Sequence, residues 1–154
     1  MDGQLETAQK FLEIETGLSE LYETFARSFM KHVDFWEKLS QEEAQHAYMV
    51  QTLIEEAKKG RLIFDDPRIH IRILSNMVED IKEARRRARE GEFDSDKAFR
   101  FALNFESTIV EKKAFENFTG TEEKVADVLG KLKMYSMKHR ERIAEYIKVH
   151  LPSA

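Results

Sequence analysis

Glu43 and His46 stand three residues apart in "EEAQHAYMV" (42–50), inside a stretch whose apolar residues recur at helical spacing. Positions i and i+3 of a helix share a face, so the pair offers one oxygen and one nitrogen donor to a single point. Both lie on the stripe Trp36, Leu39, Glu43, His46, Val50, Leu53 and Ala57, which reads as the buried side of that helix. An ionised carboxylate left unpaired inside a protein costs several kcal/mol. A divalent cation removes most of that cost. Carboxylate and imidazole donors together suit iron or manganese, with zinc as an alternative.

The pattern recurs further along the chain. Glu15 opens "ETGLSE" and Glu106 opens "ESTIVE", which aligns Thr16 with Ser107, Leu18 with Ile109 and Glu20 with Glu111. Glu15 precedes His46 by 31 residues, and Glu106 precedes His139 by 33. Each half therefore supplies a core-facing Glu on one helix and a core-facing His on the next. Only the first half keeps a Glu three residues before its His; the second has Ser136 there. One Glu from each of two helices, with Glu-x-x-His from each of the other two, is an established way to hold two metal ions in a bundle core.

These residues need four helices to position them, and the periodicity predicts four. The first carries Leu5, Ala8, Phe11, Glu15, Leu18, Tyr22, Phe25 and Phe29. The second opens at Asp34 and Glu37, spaced as a capping box, and stops at Gly60. The third starts near Ser95 or Asp96 as N-cap and carries Phe99, Leu103, Glu106, Val110, Lys113 or Ala114, and Asn117. The fourth follows "TGTEEK", with Thr119 and Glu122 as a second capping box, and carries Val125, Leu129, Leu132, Ser136, His139, Ile143 and Tyr146. Short connections near His32 and Gly120 make antiparallel hairpins over about 4–60 and about 95–150. Between them, over about 61–94, "RLIFDDPRIHIRIL" has Pro67 and alternating isoleucines and reads as extended or irregular. Asn76 to Glu90 then predicts a crossover helix ended by Gly91. The expected fold is all-α: one domain, 1–154, a four-helix bundle of two antiparallel hairpins joined by a long crossover that contains an extra helix.

Composition agrees with that architecture. The chain has 154 residues, 42% hydrophobic and 35% charged, with two prolines, which suits one helical domain and argues against a β-sandwich. A net charge of −4 gives no reason to expect nucleic-acid or membrane affinity. No apolar run approaches the roughly 18 residues of a membrane span. The opening "MDGQLETAQK" lacks the basic-then-apolar layout of a signal peptide, so a cytoplasmic protein is expected. With no cysteine, disulfides and thiolate metal sites are excluded. In "KEARRRARE", Lys82, Arg85, Arg86, Arg87 and Arg89 have Glu79, Asp80, Glu83 and Glu90 interspersed among them, as on a solvated helix face. His32, His70 and His150 have no acidic partner at a helical offset and read as surface residues.

Glu15 followed by Tyr22, "EEAQHA" at 42–47, Glu106 in "ALNFES" and "SMKHRERI" at 136–143 resemble the rubrerythrin branch of the ferritin-like di-iron carboxylate superfamily. The resemblance covers both hairpins. It implies a ferritin-like bundle with Glu15, Glu43, His46, Glu106 and His139 as metal ligands and Tyr22 hydrogen-bonded beside them. It further implies two iron ions, reaction with hydrogen peroxide or oxygen, an external electron donor and a homodimer. This chain departs from the pattern at Ser136, where a fourth carboxylate belongs, and at Lys113, the symmetry position of Tyr22. These 154 residues contain no cysteine with which to build the domain that supplies electrons in full rubrerythrins. The same residues are compatible with a non-catalytic, metal-sequestering protein, or with a metal-free bundle serving as an interaction module.

Overall fold

A computed structural model describes residues 2–60, 63–64, 67–111, 118–119 and 123–151, with side chains described over 5–60, 71–108, 123 and 125–151. The described residues form helices α1 (Asp2–Ser28), α2 (Val33–Lys58), α3 (Pro67–Arg89), α4 (Ser95–Glu111) and α5 (Glu123–His150). A 3-10 turn, Met30–His32, leads from α1 into α2. The fold is all-α apart from a two-residue antiparallel pair, β1 (Ile63–Phe64) with β2 (Phe118–Thr119). No described helix is long and apolar enough to cross a membrane.

Side-chain contacts give the helix directions. On α1 and α2, Glu15 meets His46 while Tyr22 meets Trp36, so the two run antiparallel. Ser19 and Ser40 seal that contact by each donating its hydroxyl to the other's carbonyl, at 2.9 and 2.8 Å. On α2 and α5, Glu42 meets Arg142 and His46 stacks on Tyr135, again antiparallel. On α4 and α5, Phe99 meets Tyr146 and Ser107 meets Arg140. Tyr22 of α1 reaches Glu106 of α4 and closes the ring of helices. The α3 helix lies outside that ring and runs parallel to α1, with Ile81 against Gly17 and Arg85 paired to Glu20. It carries the chain back along the length of the first hairpin.

The apolar stripes of α1, α2 and α5 are buried as their spacing requires except at Leu5, Phe29 and Tyr146, which are half-buried. On α4, Phe99 and Glu106 are buried but Leu103 is only half-buried, while Ala102 and Phe105 are buried beside them. Side chains of Val110, Lys113, Ala114 and Asn117 lie outside the described residues. The α1 helix is covered on two sides, so Ile14 and Leu21 are as buried as the stripe residues.

Several boundaries differ from expectation. The α3 helix begins at Pro67, nine positions before the expected Asn76. Proline at the first helical position has its φ preset and forfeits no hydrogen bond, and that signal outweighs the alternation of the isoleucines. Among the described residues of that stretch, extended chain survives only at Ile63–Phe64. The α2 helix has no capping box at Asp34. It continues from the 3-10 turn with His32 as N-cap, and Asp34 falls in its first turn. The α4 cap is Asp94, one residue before the expected Ser95, with its Oδ1 accepting from the Lys97 N–H at 2.8 Å. Thr119 pairs in β2 instead of capping α5, and Glu122 lies outside the described residues. Gly91 ends α3 as expected. At φ 72° it takes a left-handed conformation costly for other residues, and Glu92 N–H closes onto Arg87 O at 2.9 Å.

Three basic side chains of α3 are matched locally, while Arg85 reaches Glu20 of α1. Arg86 binds Glu83, Glu90 and Glu92, Lys82 binds Glu79, and Arg87 pairs with Glu92 and lies over the Phe93 ring.

Gly17 is required by the approach of α3. A Cβ built there meets the buried Ile81 Cγ2 at 2.6 Å, whereas one on Gly130 of α5 meets nothing within 4 Å. Alanine is favoured over glycine in a helix by about 1 kcal/mol, and overpacking a core costs about 1–3 kcal/mol. Gly130→Ala is therefore expected to raise stability to urea and Gly17→Ala to lower it. A gain at both positions would show that α3 can move off α1 without loss.

Candidate metal centre

Midway along the bundle, four helices each turn a polar side chain into the core. Glu15 comes from α1, Glu43 and His46 from α2, Glu106 from α4, and Ser136 and His139 from α5, all buried. The i, i+3 spacing places Glu43 and His46 side by side. The matched phase of the two hairpins brings the other residues to the same level.

Glu43 is the hub. Its Oε1 accepts from His139 Nδ1 at 2.8 Å, and its Oε2 lies 3.6 Å from His46 Nδ1. Glu15 Oε2 is 3.5 Å from the same His46 nitrogen, and Glu106 Oε2 is 3.5 Å from His139 Nδ1. The two imidazoles stack with ring centres 4.7 Å apart. All five expected ligands are thus brought together. Ligand atoms of Glu43, His46 and His139 lie within 4.8 Å of one another, and this group could hold a metal ion. Tyr22, wholly buried, donates its hydroxyl to Glu106 Oε1 at 3.5 Å.

Electrostatics in this layer follow from burial. Burial alone would push both imidazoles down, but the contacts from Glu15 and Glu43 raise His46 to about 9. Glu106 and Glu43 likewise raise His139 to about 11. Burial, and then the charge of Glu43, push Glu15 well above the usual carboxylate range. Burial and Glu106 act the same way on Glu43, but contacts from Glu15, His139 and His46 outweigh them and hold it below its usual range. Burial, followed by the Glu106 charge, also raises the Tyr22 phenol. The shifts favour the imidazolium form of both rings facing the carboxylates, and burial favours the protonated form of Glu15.

That neutralisation leaves two acceptors unused. Glu15 Oε2 and Glu43 Oε2 are buried and accept no hydrogen bond. Buried oxygens without a donor are costly, and here both face the imidazole nitrogens. Three carboxylates, two imidazoles and two idle oxygens in one layer make a fitting donor set for a divalent cation.

Glu42 belongs to the centre as well, although it lies off the buried stripe. It accepts from His139 Nε2 at 3.1 Å and pairs with Arg142, one turn beyond His139. Burial pushes Glu42 up, but Arg142 holds its carboxyl below the usual range. By fixing Nε2 it leaves Nδ1 to face the core, the arrangement that orients metal-binding histidines. The doubled acid in "EEAQH" was its only trace in the sequence.

His32 is not the surface residue its sequence context suggests. It is 7% exposed, its Nδ1 lies 2.7 Å from the Tyr146 hydroxyl, and its ring packs edge-on to Phe99. Its partner sits on α5, beyond the reach of any local spacing rule. His150 is exposed as expected, and the His70 side chain lies outside the described residues.

No family model, no curated protein and no solved structure matches this chain.

Both imidazoles hold protons in the folded state that an unfolded chain, with ordinary values near 6.5, releases sooner. Their stabilising effect is complete below about pH 6.5 and is lost as pH rises through about 9 for His46 and about 11 for His139. Chelator-treated protein should therefore melt at a lower temperature at pH 9 than at pH 7 in calorimetry. The double variant His46→Gln, His139→Gln should show a much flatter profile. An equal slope in that variant would place the responsible protons elsewhere.

Proposed function

We propose that this chain is a metal-binding protein of the rubrerythrin-like, ferritin-like type, with a two-iron carboxylate centre that reacts with hydrogen peroxide or oxygen. The observation that carries the reading is the convergence of three buried carboxylates and two imidazoles in one layer, where Glu15 Oε2 and Glu43 Oε2 approach His46 without a hydrogen bond. The helix order supports a ferritin-like bundle: two antiparallel hairpins, with α3 carrying the chain back along α1 between them.

Glu15, Glu43, His46, Glu106 and His139 would hold the metals, and each oxygen of Glu43 already faces a different imidazole. Ferrous ions bound there would supply the two electrons that, with two protons, take hydrogen peroxide to two waters. The chain's own residues provide the surroundings. Glu42 and Arg142 fix the His139 ring, Tyr22 holds Glu106, and metal loading would displace protons from His46 and His139. Metal affinity should accordingly rise with pH.

Adding ferrous or manganous ion to chelated protein is expected to release protons to a pH indicator and to raise the melting temperature, since a ligand bound only by the folded state stabilises it. Glu43→Ala should lose most of both effects. Peroxide should then oxidise the bound ferrous iron without free radicals escaping to a spin trap. Absence of any metal-dependent rise would favour the interaction-module reading.

Ser136 favours a second reading, a mononuclear site that stores a metal. It leaves α5 without an anionic donor beside His139, and the group within 4.8 Å is Glu43, His46 and His139 alone. Stoichiometry separates the two readings. Ser136→Glu should lower the metal-free melting temperature, by burying a fourth carboxylate, and enlarge the metal-dependent rise. A smaller rise than in the parent would show that Ser136 is not a missing ligand position.

A further inference from the structure

We propose that Glu42 and Arg142 form the port through which a divalent cation enters the buried centre. Glu42 is its first protein ligand, and Arg142 is the cation that it displaces. The port rests on the metal-binding reading above. The five residues of the layer are between 1% and 5% exposed, so an ion in solvent meets none of them directly. Glu42 reaches both sides. Its side chain is 25% exposed, and its Oε1 lies 3.1 Å from His139 Nε2. The same oxygen pairs with Arg142, whose side chain is 35% exposed.

The inner side begins one ring away. His139 turns Nε2 to Glu42, and Nδ1 to Glu43 Oε1 at 2.8 Å and Glu106 Oε2 at 3.5 Å. A single imidazole therefore separates the outer carboxylate from the inner pair, and its two nitrogens serve one side each. The outer position already accepts positive charge, because the Arg142 guanidinium occupies it. Arg142 follows His139 by one turn of α5, and its long side chain can swing to solvent while the helix stays in place. A divalent ion, with twice the charge, competes with it for Glu42. The ion then passes inward to donors that are more numerous.

The other seams of the bundle are less open to a cation. Between α1 and α2, Ser19 and Ser40 close the contact with hydroxyl hydrogen bonds at 2.9 and 2.8 Å. Between α1 and α4, Tyr22 meets Glu106 with both side chains buried. Between α4 and α5, Arg140 Nε donates to Ser107 Oγ at 3.2 Å and sets a positive charge at the seam, which repels an incoming cation. At the seam between α2 and α5 the positive charge of Arg142 is matched by Glu42, and the carboxylate is accessible.

A brace and a port differ in kinetics. A brace on His139 raises affinity by slowing release of the ion. A port is crossed in both directions, so damage to it slows uptake and release together. The test mixes chelated protein with cobalt(II) in a stopped-flow spectrometer and follows uptake by the visible absorption of the bound ion. Release is followed at EDTA concentrations beyond which its rate no longer rises. Glu42→Gln keeps an oxygen to accept from His139 and loses only the charge. Uptake and release should both slow in it by roughly tenfold, the lower end of what a charged cleft contributes to association. Arg142→Gln removes the competing guanidinium, and both rates should rise. Unchanged uptake in Glu42→Gln, or faster release from it, overturns the port and leaves Glu42 as a brace alone. Uptake that is no faster in Arg142→Gln overturns it as well. A parent protein that takes up no cobalt(II) removes the metal-binding reading and the port with it, a result distinct from failure of the port alone.

Discussion

Three carboxylates share one layer in the interior of this bundle, and much of the molecule is arranged around that fact. Glu15, Glu43 and Glu106 are each within 2% of complete burial. An uncompensated charge in such a place costs several kcal/mol, so each needs a partner from another helix. Glu43 finds His139 on α5, Glu15 approaches His46 on α2, and Glu106 is held from α1 by Tyr22. The requirement fixes register: sliding either hairpin by one turn would strand a charge. It also bears on function. Replacing a buried ionic cluster by apolar side chains of similar volume is often neutral or stabilising. A layer of five ionisable groups is therefore weak evidence for stability, and three of them, Glu43, His46 and His139, are placed so that they could hold a metal ion.

That layer was legible in the sequence because its information is local and repeated. Glu43 and His46 announce themselves by i, i+3 spacing on an otherwise apolar stripe, and Glu15 and Glu106 by their matching "E-[TS]" openings. What stayed hidden depends on partners far along the chain. Glu42 lies on the shoulder of α2, and only the approach of α5 turns it into the brace of His139. His32 acquires its role from Tyr146, 114 residues away. The α1 stripe was read as one-sided, although Ile14 and Leu21 are equally buried, because nothing in α1 shows that a third helix will cover its other flank. Boundaries failed for another reason. Ser95, Asp94 and Asp96 are all competent caps, so composition alone does not choose among them.

The helix that local reasoning placed least well contributes to the chemistry. The α3 helix touches none of the five centre residues, yet Ile81 seats on Gly17, two positions beyond Glu15 and on the opposite side of α1. With α2 packed on one side of α1 and α3 on another, Glu15 is left 2% exposed. Burial is the largest of the influences that raise Glu15. The upward push on Glu15 therefore depends on how tightly α1 is enclosed. Glycine at 17 is thus more than a packing detail. It sets the distance of closest approach of α3, and through that distance the dielectric around a carboxylate on the far side of the helix.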